Sequence, residues 1–287
     1  MDEHELSAGG TRARIRAQGA ELVSFADAAG LEHIWGAGPA WPRHAPALFP
    51  IVGRLKDDAL LHEGERFPMT QHGFARDSLF EWVERAPNAC RLALSDSATT
   101  RAQYPFAFRL EISYRLSART LIQRFDVRNV GEAVLPASIG AHPAFNWPLR
   151  PELAKEDYAL FFAKEETAPV RRLEGGLLLR ETFPTPVEGR VLRLRDELFA
   201  DDALILDHVA SRSVKYVAPD GSGLDIAWDG LPELGLWSKP GANFLCVEPW
   251  GGYASPVDFD GPFEEKPGLS LIPPGATRSA VIRMQMI

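Results

Sequence analysis

From Phe106 to Leu116 every second residue is apolar: Phe106, Phe108, Leu110, Ile112, Tyr114 and Leu116, with Arg109, Glu111, Ser113 and Arg115 among the residues between them. A helix would scatter these side chains around its circumference, whereas a strand puts them all on one face. Ser117-Ala118-Arg119 then turns the chain into a second alternating run through Leu121, Phe125 and Val127, so the pair reads as a hairpin with one dry face and one wet one. The C-terminus repeats the pattern, with Ala280, Ile282, Met284 and Met286 alternating against Val281, Arg283 and Gln285. Helical periodicity is confined to a turn or two near Pro151–Lys155 and Arg195–Phe199. Twenty-four glycines and 23 prolines cut the rest into short strands. The expected architecture is therefore all-β, a large antiparallel β-sandwich or barrel with few short helices.

A chain of 287 residues with 45% hydrophobic content can bury a large core. No linker, low-complexity tract, repeat or compositional shift divides it, so residues 1–287 read as one domain. A net charge of −8 removes the general attraction to nucleic acid and to anionic lipid, and no segment has 18 uninterrupted apolar residues. Met1–Gly10 lacks the apolar core of a signal peptide. The expectation is a cytoplasmic protein, a monomer or homodimer, whose partner is a small molecule rather than nucleic acid or membrane. Cys90 and Cys246 lie in apolar strand-like runs, where buried reduced thiols are expected.

Polar residues stand out where such runs break. His72 precedes Gly73 in Gln71-His72-Gly73-Phe74-Ala75-Arg76-Asp77, His142 precedes Pro143 in Gly140-Ala141-His142-Pro143, and Glu248 follows the apolar run Phe244–Val247 and precedes Pro249-Trp250. Strand ends are where a scaffold presents groups to a ligand. A histidine beside Pro143, Phe145 and Trp147 also suits a packed structural role, and Glu248 also suits a salt bridge; yet an acid ending a buried strand is costly unless paired or functional. Arg54 and Arg76 carry rigid donor forks that suit adjacent hydroxyls of a ligand but equally suit Asp57, Asp58 or Asp77. Trp237 and Trp250 are core residues by habit. In a ligand site, one of them would offer an apolar ring face and an N–H donor.

Five segments in this order, Leu48-Phe49-Pro50-Ile51-Val52-Gly53-Arg54-Leu55, Gln71–Asp77, Gly140–Phe145, Leu236-Trp237-Ser238-Lys239-Pro240-Gly241 and Glu248-Pro249-Trp250, resemble the aldose 1-epimerase (galactose mutarotase) superfamily, most closely its LacX-like branch. The resemblance implies a single β-supersandwich domain of galactose mutarotase-like type, no cofactor, and interconversion of the α and β anomers of a hexose; no metal is expected, because proton transfer alone suffices and the histidines lack a tight ligand spacing. It implies that His142 is the acid at the ring oxygen, that Glu248 is the base, and that Arg54 and His72 bind substrate. It further implies an aspartate holding sugar hydroxyls; Asp201, Asp202 and Asp207 are all available, and Asp202, at the edge of the strand opened by Ala203, is preferred. Pro50–Gly53 and Gln71 replace an Asn-rich stretch of the galactose mutarotases proper, which leaves the hexose itself open.

The chemistry fits the residue types. Anomer exchange removes the C1 hydroxyl proton and delivers one to the ring oxygen; the ring opens, the C1–C2 bond rotates and the ring recloses on the other carbonyl face. One base and one acid suffice, a glutamate and a histidine can supply them, and a nearby carboxylate would favour the charged histidine. A hexose 6-phosphate epimerase would need further cations, for which Arg54, Arg76 and Lys239 are candidates. A non-catalytic carbohydrate-binding protein would not need both acid and base. Lyases and glycosidases of related architecture would call for a helical domain or a carboxylate pair, neither of which is evident.

Overall fold

The computed structural model describes residues 2–287. Strands account for 46% of the chain and helices for 7%, and every strand pairing within the named sheets is antiparallel. The longest hairpin joins the strands Phe108–Ser117 and Thr120–Asn129, with Ser117 opposite Thr120 and Ala118 in the left-handed region at φ 46°. Its inward residues, including Phe108, Leu110, Ile112, Leu121 and Phe125, are fully buried, and arginines and acids occupy the other face. The strand Thr277–Met286 extends this sheet on the Thr120–Asn129 side; nine strands pair in sequence there.

A second sheet of six strands carries Phe244–Gly251 near its middle, flanked by Glu233–Trp237 and Ile139–Ala141, with Leu204–Leu206 at one edge and Ala47–Leu48 at the other. Three strands from Glu3 to Ala26 form a smaller sheet. One continuous buried cluster draws Leu6, Phe25, Ile112, Phe125, Phe145, Val247 and Met284 from all three sheets. The core therefore lies between the sheets, as the alternation demands.

Both places expected to be helical, near Pro151–Lys155 and Arg195–Phe199, hold single 3-10 turns, Lys155–Asp157 and Asp196–Phe199. The one α-helix among the described residues, Ala98–Arg101, is unannounced by periodicity. Its signal is a capping box instead: the Ser97 hydroxyl accepts from the Thr100 amide, and the Thr100 hydroxyl accepts from the Ser97 amide. Cys90 and Cys246 are both buried and unbridged. No helix among the described residues is long and apolar enough to cross a membrane.

Candidate active site

All eight residues of Phe244–Gly251 are buried, because both faces of this strand are covered. Leu245 and Val247 enter the main core, whereas Phe244, Cys246, Glu248 and Trp250 point to the opposite side. Period two carries the neighbours to that side as well: Gly235 is opposite Glu248 and Trp237 opposite Cys246, while Ala203 and Ile205 of the adjoining segment flank Leu204. His142 follows the strand Ile139–Ala141, and its amide donates to the Pro46 carbonyl at 3.1 Å. These residues surround a cavity of about 240 Å³, lined by Trp41, Gln71, His72, Arg76, His142, Asp202, Trp237, Glu248 and Trp250 among others.

Two ionisable side chains meet in this cavity, His142 Nε2 and Glu248 Oε2 at 3.2 Å. Both are almost wholly buried, His142 at 7% exposure and Glu248 at 1%. Burial raises the Glu248 carboxyl well above its ordinary range, tempered by the Trp250 indole N–H, and the Asp202 carboxylate pushes it the same way. Burial lowers His142, and the positive charges of Arg76 and Arg43 add to the effect. Desolvation thus outweighs the help a carboxylate was expected to give the imidazolium. A proton passing between the two across this 3.2 Å gap would leave the charge of the site unchanged. Glu248 Oε2 has no hydrogen-bond donor, so a ligand hydroxyl arriving there would favour the ionised form.

His72 is fixed by its neighbours. Its Nδ1 accepts from the Gly53 amide at 3.1 Å and its own amide donates to the Gly53 carbonyl at 2.7 Å. The neutral ring must therefore carry its proton on Nε2, leaving an N–H donor for a ligand, and burial together with His142 and Arg76 keeps it neutral. His72 sits at φ 66°, before Gly73 at φ 72°, where a Cβ would meet the Phe49 carbonyl oxygen at 2.2 Å. That tight turn is what presents the imidazole.

Arg76 donates to the Gln71 carbonyl at 2.5 Å, and burial, with Arg43 nearby, lowers it to about 10. Arg43 is held by Asp77 at 2.9 Å. Of the three candidate aspartates, Asp202 lines the cavity, at φ 67°, with its Oδ1 accepting from the Ala203 amide at 2.8 Å. Asp207 instead pairs with Arg171 at 3.2 Å, and Asp201 lines a separate hollow beside Phe183.

Arg54 is the one expected ligand that is not brought to this cavity. Asp58, four residues on, takes its guanidinium in a two-pronged pair, Nε to Oδ1 at 2.6 Å and a terminal nitrogen to Oδ2 at 2.5 Å. Arg54 lines a neighbouring hollow that shares Gln71 and Arg76 with the cavity. Lys239 is exposed and lines neither.

The tryptophans line three walls. Trp237 and Trp250 both face the cavity, where one alone was expected. The third, Trp41, lacks any periodic signal; its only mark in the sequence is its place between Pro39 and Pro42 in a segment with no strand pattern. It stacks on the His142 ring, centroids 4.8 Å apart and planes 24° apart, and meets Trp237 edge-on at 5.7 Å. Glu21 pins this loop from below: its Oε1 accepts from the His44 and Ala45 amides, each at 2.9 Å.

Comparison with known proteins agrees with the fold. A family model described as aldose 1-epimerase matches residues 2–267. Protein LacX, in its plasmid-borne form from Lactococcus lactis subsp. lactis, is 33% identical over 273 residues, 91% of each chain. A galactose mutarotase related enzyme from Lactobacillus acidophilus superposes with a TM-score of 0.91 at 32% identity, covering 99% of this chain and 97% of that one. A galactose mutarotase-like protein from Lactobacillus casei ATCC 334 gives 0.92 at 26% identity over 99% and 100%. By motif order, architecture and overall similarity, this chain belongs to the aldose 1-epimerase family.

Proposed function

We propose that the protein is an aldose 1-epimerase that interconverts the α and β anomers of a free hexose, with Glu248 as base and His142 as acid. The observation that carries this reading is the buried contact of His142 Nε2 with Glu248 Oε2 at 3.2 Å, opening on a cavity walled by Trp41, Trp237 and Trp250. Glu248 takes the C1 hydroxyl proton as His142 protonates the ring oxygen; the open chain rotates about C1–C2, and reclosure returns both protons by the reverse route. The proton count of the pair is the same before and after. His72 Nε2–H, Arg76 and the Asp202 carboxylate are the groups that hold the remaining hydroxyls, and an indole face covers the apolar side of the ring.

Preference for a free sugar over a phosphate ester is supported by the cations. A phosphate is normally held by two or more cationic groups. Of Arg54, Arg76 and Lys239, only Arg76 lines the cavity, and Arg54 is already occupied by Asp58. The continuous core from Leu6 to Met286 supports treating residues 1–287 as one catalytic domain, and the two free thiols agree with a cytoplasmic setting. The test is polarimetry of freshly dissolved α-glucose and α-galactose, each also compared as its 6-phosphate. The reading expects equilibration faster than buffer for at least one free hexose. Buffer rates for every sugar would overturn it, and a tenfold or larger advantage in kcat/KM for a phosphate would reassign the substrate.

A further inference from the structure

The acid–base account gives no task to Cys246, although it lies two residues before Glu248 on the same face of the same strand. The strand Ala144–Asn146 pairs Ala144 with Cys246, which brings His142, two residues earlier, to that face. One donor atom from each of His142, Cys246 and Glu248 lies within 4.8 Å of the other two, and all three residues are buried. We propose that these three side chains form a site for a soft divalent cation, zinc(II), and that its occupancy switches the enzyme off.

The geometry is close to what zinc requires. Bonds of about 2.0–2.3 Å to imidazole, carboxylate and thiolate in a tetrahedron place donor atoms roughly 3.3–3.8 Å apart. His142 Nε2 and Glu248 Oε2, at 3.2 Å, already span one such edge. The sulfur, within 4.8 Å of both partners, has up to about 1.3 Å to travel to reach a tetrahedral edge of about 3.5 Å, within the reach of side-chain adjustment. Glu248 Oε2 is an acceptor at a position 1% exposed with no hydrogen-bond donor, a vacancy that a cation fills. Charge closes too: zinc(II), thiolate, carboxylate and neutral imidazole sum to zero, so the buried ion is compensated once the thiol and carboxyl protons leave to solvent. The thiolate selects zinc over magnesium or calcium, which prefer all-oxygen shells. The fourth position faces the cavity and is free for water or a sugar hydroxyl.

Binding stands on these three residues alone; the inhibitory consequence rests on the acid–base reading of Glu248 and His142, because both would be tied to the metal. The experiment uses chelator-stripped full-length protein. Zinc chloride and magnesium chloride are titrated calorimetrically into wild type, Cys246→Ala and Cys246→Ser, and cobalt(II) is added to wild type as a spectroscopic stand-in. The expected result is one zinc per chain, no magnesium binding, at least tenfold weaker zinc binding in both variants, and a thiolate-to-cobalt charge-transfer band in wild type. The cobalt band needs no variant and so survives a failure of either to fold. In polarimetry, zinc should abolish wild-type turnover, EDTA should restore it, and the Cys246 variants should turn over and resist zinc. Absence of the cobalt band, or zinc affinity unchanged in both variants, overturns the site. Cys246-dependent zinc binding to a protein that turns over no hexose would keep the site and discard the catalytic reading; turnover that ignores bound zinc would overturn the switch.

Discussion

Gly235 lies beneath the indole of Trp250 so closely that a Cβ on it would stand 2.4 Å from the ring. Gly140, on the other flanking strand, would meet the same ring at 2.8 Å. Two glycines thus let a tryptophan lie against the sheet beside Glu248, and neither sits at a positive φ. Their smallness, rather than their backbone freedom, is what the site uses. Gly235→Ala should lower stability by about 1–3 kcal/mol through overpacking, and should lower kcat/KM by displacing Trp250. Denaturant unfolding and polarimetry check this together; wild-type values in both would show that the indole has room to move.

The stack of Trp41 on His142 makes a second expectation. Trp41→Ala removes an aromatic partner and one wall of the cavity, a loss of about 0.5–1.5 kcal/mol in the pair beyond area burial. A fall in kcat/KM of roughly three- to tenfold should follow, and Trp41→Phe should restore most of it. Equal defects in the two variants would deny the stack a role.

The two arginines should separate cleanly. Arg54 is held by Asp58 outside the cavity, both half exposed, so Arg54→Ala should change kcat/KM for a free hexose less than about threefold. Arg76 is the cation lining the cavity, and Arg76→Ala should raise KM about ten- to a hundredfold, the size of a lost hydrogen bond to a charged group. The reverse order would return Arg54 to the substrate.

Which carboxylate Arg54 meets was not legible in the sequence. The chain offers it Asp57 and Asp58 close by, and only the local 3-10 turn Lys56–Asp58 decides that Asp58 reaches it. The hairpin Phe108–Asn129 was legible because its two faces differ in polarity. Phe244–Gly251 was not, since a strand buried on both faces has no alternation to reveal that Cys246, Glu248 and Trp250 share a side. Glu248 stands out in the sequence because a carboxylate in such a strand is anomalous; Cys246, an ordinary core residue by type, does not. Trp41 reaches the site through a loop whose position depends on Glu21, twenty residues earlier, a contact that no local pattern encodes.

Lys266 supplies a pH dependence. It is 3% exposed, its ammonium donates to the Tyr253 and Pro267 carbonyls at 2.6 and 3.0 Å, and burial lowers it from 10.5 to about 7. Below pH 7 both folded and unfolded chains carry the proton, so this group adds no slope. Between pH 7 and about 10 the folded chain loses the proton while the unfolded chain keeps it, so stability contributed by this site rises with pH. The melting temperature of wild type relative to Lys266→Met should therefore climb across that range. Parallel melting profiles from pH 7 to 10 would contradict it.

The central claim is that Glu248 and His142 exchange protons with the sugar, and the direct measurement is the initial rate of optical-rotation change of the best hexose with wild type, Glu248→Gln and His142→Asn at matched folded concentration. Glu248→Gln keeps the shape of the side chain and removes its basicity, and His142→Asn removes the imidazole acid while leaving a smaller polar group. The account predicts that kcat falls roughly 10²-fold or more in both, the scale for loss of a positioned base or acid. Full activity in either variant would contradict the role assigned to that residue.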